Sequence, residues 1–280
     1  MIDLHEAVIN GDLNTCRELV KKGGDVNSLD EFGWTPLHWA CSKGHTKEVK
    51  ALLKHNADPN VATEVDGWTA AHDAARKGNH EALSAIHLAG GNIEKPSSSG
   101  TRPLHYAVQY GHAACVDAML KPPFKCDVDA PNTTGWSPLH FAARYGRKDI
   151  CALLLKEGAC PTTVDKLGRS CEALANEVRE AINQGKATLM KLDEHVKADT
   201  LQEMMEVLKE AADRQADEAL KTAKLAMENY KSSAAAGDLH GAREHITVAQ
   251  EEFIKARETE QAKQCHQIIE QITKEMEGTK

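Results

Sequence analysis

A six-residue phrase returns at a nearly fixed interval through the first two thirds of this chain, and that interval limits its folding more than any other feature. It reads Gly33-Trp-Thr-Pro-Leu-His38, Gly67-Trp-Thr-Ala-Ala-His72, Gly100-Thr-Arg-Pro-Leu-His105 and Gly135-Trp-Ser-Pro-Leu-His140, with the glycines 34, 33 and 35 residues apart. Gly168 follows after 33 more and opens a degenerate copy, Gly168-Arg-Ser-Cys-Glu-Ala-Leu-Ala175. A period of this length means one supersecondary unit used repeatedly.

The chemistry inside each period describes that unit. Thr35, Thr69 and Ser137 can cap a following helix, and Pro36 and Pro138 stand at a first-turn position where a missing N–H costs nothing. Gly44, Gly78, Gly111 and Gly146 close a short first helix where a left-handed residue is required. Val49, Leu52 and Leu53, then Ile150, Leu153, Leu154 and Leu155, give a second helix an apolar face. A single unit cannot bury that face, so the units must stack.

These residues resemble the ankyrin repeat, a β-turn followed by two antiparallel helices. The stretch GWTPLHWACSKGHTKEVKALLKHNADPN matches that pattern along its whole length, and the resemblance extends over about residues 1–183. Departures are local. Ala70 and Ala71 replace Pro-Leu, two residues are inserted around Pro122-Pro123, and Cys160-Pro-Thr162 replaces the usual Asp-x-Asn. The expected fold is an all-α solenoid with β-turn fingers, in units of about 1–32, 33–66, 67–99, 100–134 and 135–167, closed by a degenerate cap at 168–183. The first unit, which lacks Thr-Pro, and the last, with Glu172, Asn176 and Glu180, are the polar caps that a soluble solenoid needs.

The function classes narrow from here. A net charge of −8 speaks against a general nucleic-acid binder, although a net charge does not exclude a local basic patch. The opening Met-Ile-Asp-Leu-His-Glu carries no secretory signature, and no apolar run is long enough to span a membrane. The expected compartment is the cytoplasm, with the nucleus as the alternative. Eight cysteines are scattered without a CxxC pair and read as reduced thiols. Cys16 and Cys151 fall where other units carry Val49, Leu83 and Val116, a small buried apolar position.

Fourteen histidines raise the question of a metal, but His38, His72, His105 and His140 occupy the motif slot in which the resemblance implies a structural ring bonded to neighbouring turns. His45 and His112 follow the first-helix glycine, another position where that family favours histidine. No HExxH, nucleophile elbow, Gly-Lys-Ser/Thr loop or GxGxxG is present, so no enzyme, metal or cofactor is expected. The resemblance implies a protein-binding scaffold, adaptor or regulator.

Its ligands would sit in a concave groove formed by the fingers and the inner helices. At the finger position after the glycine stand Trp34, Trp68, Thr101 and Trp136, three of only four tryptophans. Beside them lie Phe32 and, on the inner helices, Lys43, Arg76, Lys77, Tyr110, Arg144 and Tyr145. Aromatic residues and arginine are the types enriched at interface hot spots. The alternative for the tryptophans is packing across adjacent fingers that merely stiffens the groove. The excess of positive charge along the inner helices points to an apolar partner segment with acidic flanks.

After Gln184-Gly185 the composition turns to Ala, Glu, Lys, Gln and Met without proline, which predicts a helical region over 184–280. Leu189, Leu192 and Val196, then Leu201, Met204, Met205 and Leu208, then Ala212, Ala219, Ala223, Met227 and Tyr230 follow helical spacing. A break falls at Gly237-Asp238. Ala242, Ile246, Ala249, Phe253, Ile269, Ile272 and Met276 then mark another long amphipathic helix. Abundant alanine favours a hairpin or small bundle. Gly237-Asp-Leu-His-Gly-Ala242 with Ile246 and Ala249 weakly resembles a single tetratricopeptide unit near 220–255. Residues 186–280 could self-associate, making the protein an architectural or oligomerising element with the repeats as spacer. They could also fold back so that Glu251-Glu252 and Glu258–Glu260 occupy the groove.

Overall fold

A computed structural model describes residues 3–184 and 196–278 of the chain. The expected positions Leu189 and Leu192 lie outside the described residues. The regular elements are all helical: α1 (Leu4–Ile9), α2 (Leu13–Lys21), α3 (Pro36–Lys43), α4 (Thr46–Lys54), α5 (Ala70–Arg76), α6 (His80–Leu88), α7 (Pro103–Gln109), α8 (Ala113–Leu120), α9 (Pro138–Arg144), α10 (Lys148–Lys156), α11 (Cys171–Asn183), α12 (Ala198–Ala235), α13 (Leu239–Lys255) and α14 (Thr259–Gly278). Among the described residues there is no β-strand, only an isolated bridge between Val164 and Ser170. The chain forms two compact units, Met1–Leu208 and Lys209–Lys280.

In the first unit α1, α3, α5, α7, α9 and α11 pack as an inner row, and α2, α4, α6, α8 and α10 as an outer row. Leu37, Leu52, Leu83, Ile86, Met119, Leu139, Leu154 and Leu174 are fully buried within it. Alanines at Ala40, Ala74, Ala107 and Ala142 are also fully buried and let inner helices approach closely. The outer-helix position shared by Cys16, Val49, Leu83, Val116 and Cys151 is fully buried in all five units. Burial lifts the Cys16 thiol to about 11 and that of Cys151 to about 12, and no disulfide joins any of the eight cysteines.

The repeated histidine ties each unit to the next. Nδ1 of His72 accepts the backbone N–H of Thr69 at 3.0 Å, and Nδ1 of His140 accepts that of Ser137 at 3.2 Å. A backbone N–H can only donate, so the ring proton must sit on Nε2. That proton points along the stack: His38 Nε2 reaches the carbonyl of Trp68, His72 that of Thr101 and His105 that of Trp136, each at 3.2 Å. Burial holds the imidazoles neutral, pushing His72 and His105 down to about 4.

The fingers are tight turns, each closed by a backbone bond such as Asp30 N–H to Trp34 O or Asn132 N–H to Trp136 O. Neighbouring fingers are laced together by Ser98 N–H to Asp66 O, Thr133 N–H to Ser99 O and Lys166 N–H to Thr134 O. Among the described residues, no equivalent backbone bond joins the first finger, near Gly33, to the second, near Gly67. The second finger, Thr63 to Trp68, is one residue longer than the first, Asp30 to Trp34.

First-helix glycines have a second role besides left-handed backbone. A Cβ on Gly78 (φ +70°) would lie 2.5 Å from His112, on Gly111 3.1 Å from Arg147, and on Gly146 2.5 Å from Val196. Each is thus capped by a side chain of the following unit, whereas Gly44 (φ +80°) has nothing within 4 Å.

Val196 therefore occupies the place that Arg147 and His112 hold in earlier units. The sixth unit does not end at residue 183 as the composition suggested. Its inner helix is α11, and Leu201, Met204, Met205 and Leu208, at the start of α12, join the same buried core. Lys148 pairs with Glu203, and Arg179 bonds Gln202. The compact unit accordingly closes at Leu208 rather than at 183/184, because the last unit needs an outer helix and takes it from the beginning of α12.

In the second unit α13 and α14 pack against the latter part of α12, with Ala223, Ala226, Ala242, Ile246, Ala249, Phe253, Ala262, Cys265 and Ile272 buried together. Gly237 (φ +77°) follows the end of α12, and Asp238 caps α13 by accepting the N–H of Gly241. The single long helix expected from Ala242 to Met276 is divided at Ala256–Glu258. Arg257 takes φ +61°, and Glu258 N–H closes back on Phe253 O at 2.8 Å. The turn places Ala262 and Cys265 in a core with Ile246 and Ala249. Neither glycine nor proline marks it.

Candidate functional site

Because each finger carbonyl is fixed by the histidine of the preceding unit, the side chains of Trp34, Trp68 and Trp136 leave the backbone from rigid points. All three are half-buried, and each lies against an aromatic ring of an inner helix. Trp34 packs on Trp39 with ring centroids 4.7 Å apart, Trp68 on Tyr106 at 4.6 Å and Trp136 edge-on to Phe141 at 5.4 Å. Phe141 also stacks on Tyr145 at 6.3 Å. The Trp68–Tyr106 pair crosses from one unit to the next, which fits the position where the fourth unit carries the small, buried Thr101.

The indoles are anchored by polar contacts as well. Trp39 Nε1 donates to Asp30 Oδ2 at 2.6 Å, and Trp136 Nε1 to Asp165 Oδ2 at 3.0 Å. Burial alone would raise the Asp30 carboxyl, but the N–H groups of Trp34, Trp39 and Phe32 outweigh it and hold the group below its usual range. Burial likewise opposes ionisation of Asp165. There the donors of Arg169, Trp136 and Leu167 win decisively.

Of the other expected groove residues, Phe32 is 66% and Tyr110 47% exposed. Lys43 and Lys77 are also exposed, and the Lys43 ammonium lies 5.6 Å from the Trp39 ring centre. Arg76 is half-buried. Its guanidinium lies 5.7 Å from the Trp68 ring centre while donating to Ser42 Oγ at 2.8 Å and to Asp73 Oδ1 at 3.1 Å. Arg144 is half-buried over Tyr145. Trp34, Thr63, Asp66, Trp68, Arg76 and Tyr110 together line an open cleft of about 260 Å³.

Sequence reasoning missed the second aromatic column, although its signal was present. The residue after each motif histidine is Trp39, Asp73, Tyr106 and Phe141 in turn. Asp73 alone breaks the column. It is fully buried, and burial raises its carboxyl to about 7 against the pull of Arg76. Among the described residues no group of three or more His, Cys, Asp or Glu side chains could hold a metal ion, and no helix is long and apolar enough to cross a membrane.

Comparison with known proteins agrees with this architecture. The bovine (Bos taurus) Cyclin-dependent kinase 4 inhibitor B is 36% identical over 110 residues, which is 39% of this chain and 83% of that protein. The bovine SMC5-SMC6 complex localization factor protein 1 is 37% identical over 108 residues, 38% of this chain but only 10% of the relative. Human (Homo sapiens) Protein phosphatase 1 regulatory subunit 27 is 48% identical over 64 residues, 23% of this chain and 41% of the relative. Among solved structures, the ankyrin-repeat protein EF0377 superimposes with a TM-score of 0.57 at 25% identity, over 68% of this chain and 97% of that one. The model of the family described as ankyrin repeats (3 copies) matches residues 4–90 and 74–165, more than half of the 280 residues. With stacked helical pairs, histidine-linked fingers and that match in agreement, the chain belongs to the ankyrin-repeat family.

Proposed function

We propose that this protein is a non-enzymatic interaction module, a scaffold, adaptor or regulator that holds a partner protein in the concave groove of its repeats. The observation that carries this reading is the aromatic wall: Trp34, Trp68 and Trp136 each pack one side against an inner-helix ring and keep area exposed. A whole tryptophan offers about 150–250 Å². With about a third of that at most still exposed, each could add about 1–2 kcal/mol gross at about 25 cal/mol per Å², before the cost of association. The packing on Trp39, Tyr106 and Phe141 supports the reading, because rings already held in place lose little freedom on binding. The regulatory relatives point the same way. The partner segment we favour is apolar with acidic flanks, to meet the exposed Lys77 and Lys43, the latter beside the Trp39 ring.

The test is affinity capture from cell extract with the intact chain, a Trp34/Trp68/Trp136→Ala variant and a Phe32/Tyr110→Ala variant, each first checked by circular dichroism. The last changes exposed side chains and should leave the fold intact. Proteins held by the intact chain and lost by both variants support a groove partner; equal retention by all three would overturn the groove as the site. A second reading, self-association through the C-terminal helices, is favoured by Leu225, Val248 and Ile254, which are 59%, 44% and 60% exposed in the second unit. Light-scattering mass that rises with concentration in the intact chain, and stays monomeric without residues 209–280, would support it.

A further inference from the structure

The outer row of helices carries a charge pattern that the groove reading does not use. Arg17 and Lys21 on α2, and Lys47, Lys50, Lys54 and His55 on or just after α4, line one cleft of about 380 Å³. Its only other lining residue is Ala51, so no carboxylate faces it. All six are exposed, in a chain whose net charge is −8. Lys50 reaches Glu81 at 3.0 Å, while Arg17, Lys21, Lys47 and Lys54 form no ion pair among the described residues. Elsewhere Lys121 pairs with Asp117, Lys148 with Glu203 and Lys255 with Glu252, while Lys43, Lys77 and Lys156 also form no ion pair among the described residues, so it is the convergence of these cations on one cleft that sets them apart.

The cluster is also local to the first two units. Counting from the first-helix glycine, the position of Arg17 and Lys50 is Ser84, Asp117 and Ala152 in later units, and that of Lys47 is Glu81, Ala114 and Asp149. Those two positions turn neutral or acidic after α4, while the position of Lys21 and Lys54 is Leu88, Lys121 and Lys156, so only the first two units carry the full set. Like charges one helical turn apart repel and cost stability. This arrangement concentrates that repulsion where other units relieve it.

We propose that this cleft binds a compact, non-aromatic molecule bearing two or more phosphate groups. The volume suits a small molecule, and the convergent ammonium and guanidinium groups are phosphate ligands. No aromatic side chain lines it to stack a base, which separates it from single-stranded nucleic-acid grooves. The same chemistry occurs in a soluble polyol polyphosphate and in a phosphorylated inositol-lipid headgroup. The site lies on the outer helices, away from the aromatic wall, and stands independently of the groove partner.

The experiment uses the full chain, with inositol hexakisphosphate in titration calorimetry and phosphatidylcholine vesicles with or without phosphatidylinositol bisphosphate in co-sedimentation. Arg17/Lys21/Lys54→Gln is compared with Lys121/Lys156/Lys263→Gln, which removes as much charge elsewhere. We expect saturable binding that the first variant weakens by at least about tenfold and the second by no more than about twofold. The first variant should melt no lower than the parent, because it relieves repulsion. Binding to the soluble probe assigns the soluble source, and binding only to the phosphoinositide vesicles assigns the lipid. Equal weakening by both variants would reduce the effect to net charge and overturn the site. So would the absence of saturable binding to either probe, or tighter binding of an oligothymidylate than of inositol hexakisphosphate.

Discussion

Replacing Gly78 by alanine tests the inter-unit packing most directly, because Gly44 provides an internal control with the same backbone strain. Both residues are left-handed, at φ +70° and +80°. An L-residue there costs about 1–2 kcal/mol. Gly44→Ala should cost that alone, since nothing lies within 4 Å of its new Cβ. Gly78→Ala also drives a methyl to 2.5 Å from the His112 ring, whose Nε2 bonds Arg76 O at 2.8 Å. Moving the ring forfeits that bond, about 1 kcal/mol, along with local packing. The expected cost is about 2–4 kcal/mol. At roughly 2–4 °C per kcal/mol for a unit of this size, Gly78→Ala should melt about 4 °C below Gly44→Ala by circular dichroism. In a His112→Ala background the two substitutions should cost the same. If Gly78→Ala and Gly44→Ala melt together in the parent chain, the reasoning about the capping ring is refuted.

The buried histidines predict a pH dependence of definite sign. With native values of about 4 for His72 and His105, the unfolded state binds more protons between about 6.5 and 4. Stability is thus full above about pH 7, is lost as pH falls through that window and levels off below it, by about 2 kcal/mol per ring at about pH 5. Asp73, raised to about 7, opposes the loss because its native form takes up a proton first. Urea titrations should therefore show the His105→Gln variant keeping about 2 kcal/mol more of its neutral-pH stability at about pH 5 than the parent keeps; parallel curves would remove the histidine contribution. A chain ending at residue 208 should melt close to the repeat transition of the intact protein. One ending at residue 184 uncovers the Leu201, Met204 and Leu208 sites and should lose on the order of 5 kcal/mol, and equal melting of the two would show that α12 contributes nothing to the sixth unit. Brief alkylation of the native protein should add a single adduct at Cys160, since the other seven thiols are buried, and extensive modification would contradict that burial.

Much of this fold was legible because a repeat states its rules several times. Pro36 and Pro138 at helix starts, the left-handed glycines and the shared position of Cys16, Val49 and Leu83 each depend on interactions within one unit or with an identical neighbour. The turn at Arg257 was hidden because its reason is tertiary: it returns Ala262 and Cys265 to Ile246, and arginine carries no turn signature. The outer helix of the sixth unit was hidden by the composition change after Gln184, which looked like a boundary. Within the groove, Trp34, Trp68 and Trp136 stood out by type and register. Their partners Trp39, Tyr106 and Phe141 did not, because the column they form is broken by Asp73.

The stack does not have uniform seams. Between the second and third units the fingers lack the backbone lacing found farther along, Gly44 has no covering side chain, and the later finger carries an extra residue. That junction is held instead by side chains, His38 to the Trp68 carbonyl, Arg76 to Ser42 and Lys50 to Glu81. A linear array carries its load through nearest neighbours, so loss of Arg76 and Lys50 together should loosen this joint more than the equivalent loss would loosen a laced one. The first units would then behave as a flap hinged on the remaining rows, and a ligand lying across Trp34 and Trp68 would act as a splint.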